Sequence, residues 1–176
     1  MKGYSHVAIG VRDMERSLRI YRDVLGLKVH RDAEEILPVM GVQAGPVQRD
    51  PDNKSVYDPT GPQAEKSDGG YRRTFRRRGV FLRWNEADPS FIVLSQRSTP
   101  TGEPLDFDQV GIHHFGFWVD NLDELSQRLR TAGVTFLVDG EIGDGIGYAL
   151  EPGHKVKTCV FVDPDGTIVQ LDQHLS

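Results

Sequence analysis

Residues 5–27 read SHVAIGVRDMERSLRIYRDVLGL, and a shortened echo returns at residues 114–133 as HFGFWVDNLDELSQRLRTAG. His6-Val7-Ala8-Ile9-Gly10-Val11-Arg12-Asp13 lies over His114-Phe115-Gly116-Phe117-Trp118-Val119-Asp120-Asn121. In both copies an amphipathic segment and a glycine follow. Self-similarity of this kind decides the architecture before local detail does. Each copy is expected to form a strand, a turn, a helix and a further turn, so the chain is built twice from one plan.

In the first copy Val7, Ile9 and Val11 alternate with His6, Ala8 and Gly10, a strand period that puts His6 on the less apolar face. Asp13 is an N-cap candidate for a helix starting at Met14, and Asp120-Asn121 fill the same place in the second copy. Met14, Leu18, Tyr21 and Leu25 recur at three- and four-residue steps, a core stripe, and Gly26 is placed to end the helix. Residues 27–34, 80–84 and 91–95 predict three more strands, the last two joined by a turn at 85–89. The unit is βαβββ. The second copy predicts a strand at 111–119, a helix at 122–129 and strands at 135–138, 155–162 and 167–172. Asp163-Pro164-Asp165-Gly166 makes the last turn, Pro presetting one dihedral and Gly supplying the positive one. The domain plan is a first module at 1–96, a linker at 97–110 and a second module at 111–176.

Two stretches stand outside the pattern. Residues 43–79 are rich in Pro, Gly, Asp and Arg without sustained periodicity, and an insertion of that length inside a compact domain is usually a functional lid or a mobile addition. Its end, Tyr71-Arg72-Arg73-Thr74-Phe75-Arg76-Arg77-Arg78, sets cations between two aromatics, suited either to a carboxylate or aromatic ligand or to pairing with acidic residues elsewhere. Residues 140–154 form a second glycine-rich loop, which carries Tyr148, Glu151 and His154. His113, next to His114, is expected on the opposite face of its strand, in a packing or surface role.

The 176 residues, 38% of them hydrophobic, suffice for one ordinary globular domain with a real core. A formal net charge of −5 offers no basic field, which argues against nucleic acid or an anionic membrane as partner. No apolar run approaches bilayer length, and the N-terminus enters a strand without a leader pattern, so a cytoplasmic location is expected. Cys159 is the single cysteine, inside the apolar run 156–162, and is expected to be a buried structural thiol.

The doubled His-apolar-small-apolar-x-Val strand with its Asp or Asn turn and helix, together with FVDPDGTIVQL at 161–171, resembles the vicinal oxygen chelate superfamily, the glyoxalase, bleomycin-resistance-protein and extradiol-dioxygenase group. The resemblance implies an α+β fold, two βαβββ modules forming an open, cup-shaped mixed sheet barrel with the ligand in the cup. It implies dimerisation as well, which is common in the group. In metal-using members a His on the first strand of each module and a carboxylate on the last strand converge on one divalent ion. Carried over, those positions are His6, His114 and Gln170, so an amide stands where the group has a carboxylate. Some glyoxalases of the group do use a glutamine ligand.

The remaining corner of a four-ligand glyoxalase site falls at Val93, which cannot bind a metal. The three-ligand arrangement of extradiol dioxygenases fits better, with iron(II) or manganese(II) holding a small catechol-like substrate. Pro152-Gly153-His154 resembles the segment where those dioxygenases place an acid/base histidine, which makes His154 the candidate general base; Val160 stands where they commonly carry a tyrosine. Tyr148 and Glu151 are candidate residues at the cup mouth. The alternatives are a glyoxalase-like lyase or isomerase, or a metal-free cup of the antibiotic-sequestering type. That cup would use Trp84, Phe117, Trp118 and insertion aromatics such as Tyr71 to stack on its ligand.

Overall fold

The computed structural model describes residues 4–38, 65–67, 70–72, 74–97, 102–104 and 111–175. The chain divides into two compact units, one of Met1–Met14 with Lys28–Gly102 and one of Glu15–Leu27 with Glu103–Ser176. The fold is α+β. Most of the predicted insertion and linker lies outside the described residues.

The first unit holds β1 (His6–Val11), β2 (Lys28–Pro38), β3 (Glu65–Ser67), β4 (Gly70–Arg72), β5 (Thr74–Arg83) and β6 (Phe91–Arg97). Four of these form a sheet in the order β1-β6-β5-β2, with β1 parallel to β6, while β3 and β4 pair as a small hairpin. Alternation buries Ile9, Val11, Val80 and Leu82 as the sequence predicts, while Ile92, Val93 and Leu94 of β6 are buried in succession. Residues 74–79, assigned to the insertion by sequence, instead extend β5 along β2 as far as Thr74 opposite Pro38. Across that ladder Glu34 stands opposite Arg78, and Arg78 grips Asp32 with two hydrogen bonds of 2.9 and 2.6 Å. Pairing across strands therefore accounts for part of the arginine run.

The second unit repeats the plan with β7 (His114–Trp118), α2 (Leu122–Thr131), β8 (Thr135–Asp144), β9 (Lys155–Val162) and β10 (Ile168–Leu175), sheet order β7-β10-β9-β8, with β7 parallel to β10. Register repeats along with topology. His6 lies opposite Phe91 and Ala8 opposite Val93; His114 lies opposite Ile168 and Gly116 opposite Gln170. Val93 thus holds in its sheet the place that Gln170 holds in the other, and it is buried.

Helix α1 (Met14–Leu18) continues as a π-helical run, Arg19–Val24, and its residues from Glu15 onward belong to the second unit. The wider turns bring Ile20 into the core beside Leu18 and Tyr21 and leave Leu25, predicted as stripe, only half-buried. Tyr21 donates its hydroxyl to Asp163 at 2.8 Å, and Ser17 donates to Asp165 at 3.2 Å. In α2, Leu122, Leu125 and Leu129 fill the core, with acids in the first turn and arginines in the last as the helix dipole favours.

Three local expectations are corrected. Asn121 makes no side-chain cap bond; the first N–H of α2, that of Leu122, goes to Gln173 Oε1 at 3.0 Å, while Gln173 Nε2 donates to the Asp120 carbonyl at 3.0 Å. Gln96 does the same in the first unit, accepting from Met14 N–H at 3.2 Å and donating to the Arg12 carbonyl at 3.0 Å. The first N–H of each helix is therefore taken by a glutamine at the end of β6 or β10. Replacing Gln173 by Ala should cost about 1 kcal/mol, the usual worth of a cap, read as a shift of the urea midpoint at unchanged slope. Second, Gly140–Asp144 is strand rather than loop, because Gly140 at φ +77° occupies a β-bulge between Asp139 and Glu141 after which pairing with β9 resumes. Third, His113 precedes β7 and escapes its pleat, so its ring lies beside that of His114. Cys159 is fully buried as expected, and burial pushes its thiol pKa up.

Candidate functional site

The second unit carries an open cleft of about 510 Å³ lined by His114, Gly116, Phe117, Trp118, Gly147, Tyr148, Gln170 and Asp172. Strand alternation builds its floor. His114, Gly116 and Trp118 share one face of β7, and Gln170 and Asp172 share the matching face of β10, with Asp172 opposite Trp118. Phe117 lines the cleft through its strand position, but its ring packs edge-on against Phe115, 5.6 Å away, as its place on the other face of β7 requires. Trp118 is 51% exposed, an unusual state for an indole. It stacks on His174 with ring centroids 3.9 Å apart at 12°, and Tyr148 stands 5.2 Å away.

Tyr148 arrives from the short 3₁₀ turn Gly145–Tyr148. Gly145 N–H donates to the His154 carbonyl at 2.9 Å and Leu150 N–H to the Gly145 carbonyl at 3.0 Å, which ties the turn to the start of β9. A Cβ at Gly145 would stand 2.8 Å from Leu150, so the tight return needs glycine there. Ala149, next to Tyr148, adopts φ +56°, a left-handed conformation uncommon for a residue with a Cβ.

The polar centre is a hydrogen-bond network that converges on Asp172, itself only 5% exposed. Asp172 Oδ1 accepts from the Tyr148 hydroxyl at 2.6 Å, from Thr158 Oγ1 at 2.8 Å and from Gln170 Nε2 at 3.0 Å. Its Oδ2 also accepts from Gln170 Nε2 at 3.0 Å, and Gln170 Nε2 donates to the Tyr148 oxygen at 2.7 Å. Burial first, and the bond to Asp172 next, raise the Tyr148 pKa above the ordinary phenol value, so the phenol keeps its proton at neutral pH. His114 Nδ1 lies 2.7 Å from His113 Nδ1. One ring must donate and the other accept, and burial followed by the neighbouring His113 lowers the His114 pKa.

The residues expected from sequence fall into two groups. His114, Gln170, Tyr148, Phe117 and Trp118 meet in this cleft. His6 is an exposed residue at the start of β1 in the other unit, its Nδ1 3.0 Å from Ser5 Oγ. Trp84 follows β5 in that unit and donates to the Asp88 carboxylate. Tyr71 lies on β4 opposite Lys66. His154 is exposed at the base of the loop that carries Tyr148, engaged through its backbone, and Glu151 is exposed beside it. Sequence reasoning missed Asp172 and Thr158. The signal for Asp172 was present, because polar Gln170, Asp172 and His174 alternate with apolar Val169 and Leu171, which marks 172 as a cleft position.

Among the described residues no three His, Cys, Asp or Glu side chains gather as a metal site, so a metal in this cleft would need the amide oxygen of Gln170. That oxygen fits the role. All three hydrogen bonds that hold the amide use its nitrogen, and Oε1 has no partner among the described residues. Imidazole nitrogen with amide oxygen suits a borderline divalent ion.

No helix among the described residues is long and apolar enough to cross a membrane. A search of curated protein sequences finds no match. Among solved structures, a glyoxalase family protein from Bacillus cereus aligns with TM-score 0.60 and 15% identity over 100% of this chain and 96% of its own. Trypanothione-dependent glyoxalase I of Leishmania major aligns with TM-score 0.56 and 19% identity over 97% and 86%. A fosfomycin resistance protein from Mesorhizobium loti aligns with TM-score 0.50 and 17% identity over 97% and 90%. At these identities the likeness is one of fold. Residues 5–150 match the sequence profile of one family, and the paired βαβββ sheets with their common register agree with it: the chain belongs to the glyoxalase/bleomycin resistance protein/dioxygenase superfamily.

Proposed function

We propose that the protein is a divalent-metal-dependent enzyme of the vicinal oxygen chelate type, extradiol-dioxygenase-like, that acts on a small catechol-like substrate. The metal ligands would be His114, Gln170 and His6, the last being the register equivalent of His114 in its own sheet. Iron(II) or manganese(II), when bound, supplies Lewis acidity toward paired substrate oxygens. The carrying observation is the state of Gln170, whose amide nitrogen is committed to Tyr148 and Asp172 while its carbonyl oxygen remains open.

The chain's own residues supply the rest. Trp118, half-exposed and backed by His174, offers a planar wall against which an aromatic ring can lie. The Tyr148 hydroxyl donates to Asp172 and its oxygen accepts from Gln170, which fixes the phenol at the cleft surface. Buried Asp172 adds one negative charge behind the ligand set, which favours a cation there.

Elemental analysis of protein purified without chelator, with anaerobic iron(II) and manganese(II) titrations, tests this. Wild type is expected to hold about one ion per chain and His6→Ala to lose it while still folding. Wild type that takes up neither ion would remove the metal-enzyme reading and leave a cup that binds its aromatic ligand without metal.

A further inference from the structure

Residue 170 is an amide, and an amide can face a ligand with either of its two ends. Oxygen and nitrogen occupy nearly the same volume, so shape does not choose between them. The surrounding hydrogen bonds do. An ionised carboxylate can only accept, and Asp172 accepts hydrogen bonds from the Tyr148 hydroxyl at 2.6 Å and the Thr158 hydroxyl at 2.8 Å. The Tyr148 oxygen, its proton spent on Asp172, meets Gln170 as an acceptor as well. Gln170 therefore faces acceptors at 2.7, 3.0 and 3.0 Å, and only the nitrogen end can satisfy them. Turning the amide over would set its carbonyl oxygen 3.0 Å from the Asp172 carboxylate inside a part-buried site, with no proton between them.

We propose that Asp172 is a positioning residue that, through Tyr148 and Thr158, locks the Gln170 amide with its oxygen toward the open cleft and so makes an uncharged side chain into a defined oxygen ligand for a divalent ion. The proposal rests on the metal-dependent reading above. It also explains why residue 170 is an amide. A glutamate there would place a second carboxylate about 3 Å from Asp172, and two carboxylates so close cannot both ionise without cost. The negative charge that the superfamily's metal-using members carry on the ligand is held here one layer behind it, two residues on along β10 and on the same face.

The test uses Asp172→Asn, which preserves shape while removing the acceptor-only character, and Tyr148→Phe, which removes one of the two groups holding the amide. Apo protein of each is titrated with manganese(II), followed by the loss of free-ion resonance signal, after circular dichroism shows that it is folded. Outer-layer partners of metal ligands are typically worth 10–100-fold in affinity, so Asp172→Asn should weaken manganese(II) binding by at least about 10-fold, with Tyr148→Phe in the same direction. A nitrogen-15 spectrum of the metal-free protein reads the lock directly. The Gln170 side-chain NH₂ pair, identified by its absence in Gln170→Met, should be displaced from the free-amide position and protected from exchange in wild type, and should move to that position in Asp172→Asn. Equal metal affinity in wild type and Asp172→Asn, or an amide pair that Asp172→Asn leaves unmoved, overturns the positioning role. Wild type that takes up no manganese(II) while the amide pair responds as expected overturns the metal reading and leaves the lock standing.

Discussion

Asp163→Ala should destabilise the protein by about 3–4 kcal/mol, one of the largest losses expected for a single side chain here, read from urea unfolding. Asp163 is 4% exposed, and each of its oxygens is in use. Oδ1 accepts from the backbone N–H groups of Asp165 at 2.9 Å and Thr167 at 2.8 Å, which shapes the Asp-Pro-Asp-Gly turn. Oδ2 accepts from Tyr21, whose side chain has no exposed surface at all. Truncation would strand a fully buried hydroxyl and two turn N–H groups, and a buried donor left without a partner costs about 1–3 kcal/mol. Tyr21→Phe, which keeps the ring in the core and loses only the hydroxyl, should cost less, about 1–2 kcal/mol.

The same carboxylate has a pH signature. Burial, only partly offset by the Tyr21 hydroxyl and the turn N–H groups, raises the Asp163 pKa above the usual carboxylate value. A raised acid favours its protonated form in the folded chain. Its stabilising contribution is therefore complete below the unfolded pKa and is lost as pH rises through the folded pKa. The stability of wild type relative to Asp163→Asn should fall across that interval and then level off. A flat difference through the carboxylate range would show that the side chain is not raised.

His114→Ala should abolish stoichiometric uptake of manganese(II) or iron(II), a loss greater than about 100-fold, since removing a ligand must exceed the effect of disturbing its supports. Stability should change little, because His114 is only half-buried and is followed in β7 by Phe115 and Phe117, whose packing is untouched. A folded variant that still binds one ion would take His114 out of the ligand set. Gln170→Met, read beside it, separates ligand loss from disturbance of β7.

Much of this architecture is legible in the sequence because repetition carries it. The overlay of residues 6–13 on 114–121 implies that the strands pair alike in both copies, and the registers His6–Phe91 and His114–Ile168 agree. Val93 as the counterpart of Gln170 follows from laying residues 91–96 over 168–173. What escaped depends on partners distant in sequence. Asn121 has a capping side chain by type, but Gln173, 51 positions from Leu122, takes that residue's N–H. Glycine at 140 reads as loop until its bulge is paired with β9. The Asp172 network draws on the 3₁₀ turn, β9 and β10, and no single window of sequence contains it.

Helix α1 illustrates a different consequence of long separation. Its Tyr21 waits for Asp163, 142 residues later, and its Ser17 for Asp165, 148 residues later. Synthesis at about 5–20 residues per second puts on the order of ten seconds between the two ends. For that time a nascent chain carries a formed or half-formed helix whose tyrosine has no place to put its hydroxyl. The final hairpin thus acts as a latch on the earliest helix, and a ribosome stalled before residue 163 would hold a chain whose second unit cannot close. Such high contact order slows folding in general. Here it means that truncation from the C-terminus, besides opening the second sheet, should also be felt near the N-terminus, where Tyr21 and Ser17 lose their partners.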